Sequence, residues 1–167
     1  MSESLDDGPP KPWIWFAWRP RNLGYLASTS QLIGTVLFNV NTVTATFVDL
    51  TWRQQEAIVW LPNLMGCLCF LVASLLAYVE TAQGALRVEI RCVSWWIAIV
   101  NLLGSVAFQI SAFYGLPQPG PPSDVSVFRT NAFTALGGGF FLAGAYLLIP
   151  ELFDEQETVE HERRKRA

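Results

Sequence analysis

Charge is what this 167-residue chain most conspicuously lacks over long distances. No Asp, Glu, Lys, Arg or His occurs from Asn22 to Val48, from Ala57 to Val79, from Cys92 to Ser123 or from Thr130 to Pro150. Each stretch is long enough to cross the ~30 Å hydrocarbon core of a bilayer, which takes about 20 helical residues. Four consecutive uncharged segments would leave a water-soluble bundle with almost no polar outer face. The chain is 51% hydrophobic and 15% charged, too apolar for a disordered chain and too poor in charge to solvate a globule. These patterns predict an all-α protein with four membrane spans. The spans also lack Lys for a Schiff base, His for haem and carboxylates for a proton relay, so no enzyme activity, catalytic residue or cofactor is expected.

Cysteine is scarce and poorly placed for disulfides. Cys67 and Cys69 fall within the second span and Cys92 at the start of the third, so none lies in an outer loop. The Cys67/Cys69 pair has no His or acidic neighbour in sequence, which argues for packing rather than metal ligation. The one histidine, His161, lies in an acidic tail and reads as a solvated side chain. A cleavable leader is also not expected, because the first apolar patch, Trp13 to Trp18, is short and has no small-residue cleavage site. It reads as an interfacial anchor, with indole rings at headgroup level beside Arg19 and Arg21.

The charges that are present are segregated. With both termini in the cytoplasm, the inner segments hold Lys11, Arg19, Arg21, Arg87, Arg91, Arg163, Arg164, Lys165 and Arg166, while the outer loops hold only Arg53 and Arg129. Leaving out the distal Arg163 to Arg166 cluster, five basic residues face two. Short basic loops stay inside, so cytoplasmic termini in the plasma membrane are expected.

The two halves resemble each other. An offset of 70 lays Arg21 on Arg91, Tyr25 on Trp95, Gln31 on Asn101, Gly34 on Gly104, Thr35 on Ser105, Phe38 on Phe108 and Asn39 on Gln109. One residue of slippage gives 71 for the later spans and pairs Gly66 with Gly137, Phe70 with Phe141 and Glu80 with Glu151. The matched polar residues and glycines carry weight that Leu and Phe matches between apolar helices would not. The expected unit is a two-helix hairpin used twice. An even number of spans per unit makes the repeats parallel, related by an axis along the membrane normal.

Polar residues in the first span, Ser28, Gln31, Thr35, Asn39, Thr42 and Thr46, recur at three- and four-residue spacing and share one helical face. The third span repeats this with Ser94, Asn101, Ser105 and Gln109. Amides facing lipid would forfeit hydrogen bonds, so the stripe is expected to look inward. Two uses remain open for Gln31, Thr35, Asn39, Asn101, Ser105 and Gln109: hydrogen bonds between helices, or the lining of a path for a small solute or ion. Gly137, Gly138, Gly139, Ala143 and Gly144 form a smooth strip on the fourth span that lets another backbone approach closely. Their counterparts Gly66, Cys67, Leu68, Val72 and Ala73 are bulkier.

At the inner rim Arg21 begins the first span and Glu80 ends the second, and Arg91 with Glu151 repeats the arrangement. Each pair is a candidate clasp for its hairpin, the competing reading being independently solvated charges. Trp52 beside Arg53 marks an outer interfacial anchor, and Pro117 to Pro122 a stiff short turn. After Leu152 the chain turns acidic and then basic, as a solvated tail would.

The run from Gln31 to Asn39 (QLIGTVLFN), followed by the Asn63 to Gly66 stretch, resembles the YrhK-like family of small bacterial membrane proteins. The resemblance covers about residues 21 to 80, with a more diverged second copy from 91 to 151. It implies an integral membrane location and no established activity. The expected organisation is thus a tail over 1–20, a first hairpin over 21–80, a cytoplasmic linker over 81–90, a second hairpin over 91–151 and a charged tail over 152–167. The expected partners are the lipid bilayer and either further copies of the chain or another membrane protein, with no nucleic acid. The expected role is packing or accessory, the alternative being a small channel or transporter.

Overall fold

The structure is a computed structural model that describes residues 19–47, 49–82, 92–117, 119–120 and 122–150 in full and 151–166 as backbone only. The Trp13 to Trp18 anchor, Arg91, the 83–90 linker and the side chain of Glu151 lie outside the described residues. The described chain is helical, with no strand among the described residues. Four helices follow one another: α1 (Leu23–Thr44), α2 (Trp52–Thr81), α3 (Val93–Tyr114) and α4 (Asp124–Arg166). Three of them have segments long and apolar enough to cross a membrane, Trp52–Thr81, Val93–Tyr114 and Asp124–Pro150. At 22 residues α1 has the length as well, but its many hydroxyl and amide side chains keep it less apolar.

Local chemistry explains where the helices start and bend. Asn22 caps α1, its Oδ1 accepting from the Tyr25 amide at 2.8 Å. Thr51 and Gln54 form a capping box at the start of α2. Between Gln55 and Trp60 this helix widens into a π segment just ahead of Pro62. Proline has no N–H and its ring collides with the preceding turn, and a π turn is one way to relieve that. The Ile58 carbonyl thereby loses its α-helical donor, and Thr44 Oγ1 from α1 stands 2.8 Å from it. That hydroxyl is equally close to the Val40 carbonyl, so its single proton is shared between the two helices. Helix α4 runs 43 residues, about 65 Å at 1.5 Å per residue, well beyond a bilayer's hydrocarbon thickness. Its backbone continues helically through Pro150 and the charged segment that the sequence reading treated as a tail.

The helices pack as a row, α1 on α2, α2 on α3 and α3 on α4, and α1 and α4 do not pack along each other among the described residues. Within each hairpin the closest approach is glycine against glycine. A methyl placed on Gly34 would lie 3.0 Å from the Gly66 carbonyl, and one on Gly104 would lie 3.0 Å from the Gly137 carbonyl and 2.9 Å from the Phe141 ring. Only glycine permits backbones this close. Phenylalanines then fill the space where the hairpins meet: Phe38, Phe70, Phe108 and Phe141 touch in one cluster, with centroid separations of 5.3 Å for Phe38–Phe108 and 5.5 Å for Phe70–Phe141. Both contacts reach from one hairpin to the other.

The outside of the row is apolar. Leu32 is 64% exposed, Phe113 70% and Leu142 73%, whereas the most buried side chains include Cys67 and Ser105. Overpacking a tight contact costs about 1–3 kcal/mol. Gly34→Val and Gly104→Val should therefore each lower the unfolding temperature in detergent. Gly139→Ala, whose added carbon meets nothing within 4 Å, should be neutral or slightly stabilising through helix propensity.

Candidate functional site

The six stripe residues do not end up on one surface. Ser105 is fully buried between α2 and α3, its hydroxyl 2.8 Å from Ser74 Oγ and 3.0 Å from the carbonyls of Phe70 and Asn101. Asn101 and Gln109 flank it on α3, both half-buried. Asn101 turns its Oδ1 toward Gly144 of α4, so close that a methyl at position 144 could not be accommodated without displacing the amide. Gln109 Oε1 is buried without a hydrogen-bond partner among the described residues. The α3 half of the stripe thus faces inward.

The α1 half does not. Thr35 and Asn39 lie on the outer surface of the single chain, and Gln31 is half-buried at its edge. What satisfies them is their own helix: Thr35 Oγ1 donates to the Gln31 carbonyl at 2.9 Å and Asn39 Nδ2 to the Thr35 carbonyl at 2.8 Å. Thr42 does the same with Phe38 at 2.8 Å. Side chains of this kind can bond the carbonyl four residues back, which removes the need for a partner helix. The face α1 presents to α2 is instead built around Ala27 and Gly34, with Phe38 and Asn41 beside them. Glycine geometry, rather than the amides, sets the rotation of this helix.

Sequence reasoning passed over the hydrogen bonds that join each hairpin near its outer end. Asn41 Nδ2 donates to Asn63 Oδ1 at 3.3 Å between α1 and α2. Ser111 Oγ lies 2.6 Å from Thr134 Oγ1 and donates to the Thr130 carbonyl at 2.9 Å between α3 and α4. The offsets of 70 and 71 place Ser111 on Asn41 and Thr134 on Asn63. The signal was present in the sequence, hidden because the residue types differ. One further bond joins the hairpins: Trp60 Nε1 donates at 2.8 Å to the carbonyl of Ala112 in the last turn of α3, where no helical donor follows.

At the end of the row where α1 begins, Glu80 lies over the first turn of α1, where its carboxylate would stand 2.8 Å from a methyl on Gly24. Among the described residues no ion pair joins it to Arg21. The carboxylate thus sits beside the N-terminal end of α1. At the other end, Arg53 lies 5.3 Å over the Trp52 ring and Arg129 5.2 Å over Tyr114, which places cations and aromatic rings together at the expected outer interface. The described cysteines are free, with Cys67 buried. No group of three or more His, Cys, Asp or Glu able to hold a metal ion occurs among the described residues.

No protein-family model, curated protein or solved structure matches this chain. The geometry of the seam between α2 and α3 therefore carries the functional reading by itself. Ser74→Ala and Ser105→Ala should each cost about 0.6 kcal/mol, with an upper range near ~2. A double-mutant cycle measured by unfolding in micelles should show that the two losses are not additive.

Proposed function

We propose that this chain is a four-span integral membrane protein of the plasma membrane, built as two tandem, parallel two-helix hairpins with both termini in the cytoplasm. We propose further that it is non-enzymatic and acts through helix packing as an oligomeric or accessory membrane subunit, of the kind the YrhK-like resemblance implies. The observation that carries this reading is the distribution of surface: large apolar side chains crowd the outside, while the buried positions are mostly small or hydroxyl-bearing side chains around a central phenylalanine cluster. Three long apolar helices and the matched Gly34/Gly66 and Gly104/Gly137 approaches support it.

The place of α1 as a fourth span rests on physical grounds. It lies alongside α2, carries no charge, and bonds the side chains of Thr35, Asn39 and Thr42 to carbonyls of its own helix, so the cost of placing them in lipid falls.

The pathway reading has one observation in its favour, the unpartnered Gln109 oxygen inside the α3 face. Against it, Ser105 is consumed by packing, and Thr35 and Asn39 lie on the outer surface of the single chain, apart from the inward-facing Gln109. Packing is accordingly the stronger assignment for the stripe.

Alkaline carbonate extraction of membranes from an expressing cell tests the membrane assignment: the chain should stay in the pellet and dissolve only with detergent. Recovery in the aqueous supernatant would overturn it. Reconstituted into liposomes, the native chain and Gln109→Leu should show equal, background-level flux of small ions. Flux abolished by Gln109→Leu in a folded variant would favour the pathway instead.

A further inference from the structure

The packing of α2 against α3 is used once, although the chain carries the parts to use it twice. On α3, Ala98, Ser105 and Ala112 follow at seven-residue spacing and are 2%, 0% and 0% exposed. On α2, Trp60, Cys67 and Ser74 follow at the same spacing and supply the opposing surface: Ser74 meets Ser105, Cys67 packs in the cluster with Ala112, and Trp60 caps the Ala112 carbonyl. Seven-residue spacing is the repeat of a helix pair crossing at a shallow angle.

The offset of 70 carries Ala98, Ser105 and Ala112 onto Ser28, Thr35 and Thr42 of α1, and the offset of 71 carries Trp60, Cys67 and Ser74 onto Asn131, Gly138 and Ala145 of α4. All six of these counterparts are exposed in the single chain. They lie on the two end helices of the row, each of which packs along one neighbouring helix among the described residues. None is charged and none is large. A carbon added at Gly138 meets nothing within 4 Å. The polar members also match in kind: Thr35 repeats the hydroxyl of Ser105, and Asn131 repeats the N–H donor of Trp60, opposite the carbonyl of Thr42 as Trp60 is opposite that of Ala112.

We propose that α4 of one copy packs on α1 of a second copy in the geometry of α2 on α3, assembling the chain head to tail into a closed ring within the membrane. This deepens the oligomeric reading above and rests on its tandem-hairpin premise. The occupant of each open face is the other open face, because the complementary half of an interface already formed inside the chain exists on the same molecule. Such a contact is heterologous, and heterologous contacts between copies inserted in one orientation close by rotation about the membrane normal. The exposed stripe on α1 is then a contact surface, with Thr35 and Thr42 in its seam.

Cross-linking in native membranes tests this. In chains freed of cysteine by Cys67→Ala, Cys69→Ala and Cys92→Ala, one tagged copy carries Thr35→Cys and a differently tagged copy carries Ala145→Cys. Their counterparts within the chain touch through hydroxyls 2.8 Å apart, so cysteines there are within disulfide reach. Oxidation should join the two tags, while either variant alone should give no cross-linked species. Absence of the mixed product, or a Thr35→Cys chain linked to its like, would overturn the proposal.

A second measurement keeps the natural cysteines. Gly138→Leu should reduce the particle mass in nanodiscs to one chain, whereas Gly139→Leu should leave the oligomer whole. Both positions have open space in the single chain, but position 139 corresponds to the outward-facing Leu68. Equal behaviour of the two variants would contradict the assignment. A chain that resists carbonate extraction but runs as a monomer refutes the ring alone; a chain released by carbonate refutes the membrane reading as well.

Discussion

Two glycine pairs set the dimensions of this molecule. Where Gly34 meets Gly66 and Gly104 meets Gly137, the helix backbones come within van der Waals contact of each other, and every side chain nearby is placed by that approach. In lipid no hydrophobic force draws apolar helices together, so association depends on close packing and on hydrogen bonds between helices. The glycines supply the first and the four central phenylalanines extend it, two rings from each hairpin closing over the seam. The second comes from short polar contacts: Asn41 to Asn63, Ser111 to Thr134, Ser74 to Ser105 and Trp60 to the Ala112 carbonyl.

Much of this is legible in the sequence, and the limits of legibility have physical causes. Absence of charge locates the helices, because lipid excludes ionised groups whatever the packing. The offsets of 70 and 71 bring out the glycines, where an added side chain would meet the opposing backbone, and the phenylalanines that pack beside them. Hydrogen-bonding positions are harder to read: at the offsets of 70 and 71 Asn41 and Asn63 fall on Ser111 and Thr134, different residue types that likewise bond each other, so these bonds escape a search for identical letters. The rotation of α1 escapes for a different reason. Thr35 and Asn39 were expected inside because an amide in lipid is costly, but each bonds a carbonyl of its own helix, and that option is invisible to a count of polar residues along a face.

The inner rim and the π segment carry the same lesson at smaller scale. Matched Arg and Glu positions suggest a clasp between Arg21 and Glu80, and the structure places the Glu80 carboxylate beside Gly24 in the first turn of α1. Helix ends present unbonded N–H groups, and an acid nearby can use them without a basic side chain. Pro62 follows a π turn in α2 whose freed carbonyl is met by Thr44, a side chain from another helix.

The central claim is that lipid is the solvent for the outer surface of this row of helices. Spin labels placed singly at the exposed positions Leu75, Leu103 and Tyr146 in the reconstituted protein test it most directly, through their accessibility to apolar oxygen and to a water-soluble nickel chelate. The account predicts strong relaxation by oxygen and little by the chelate at all three positions. Ready access of the chelate to these sites would contradict it.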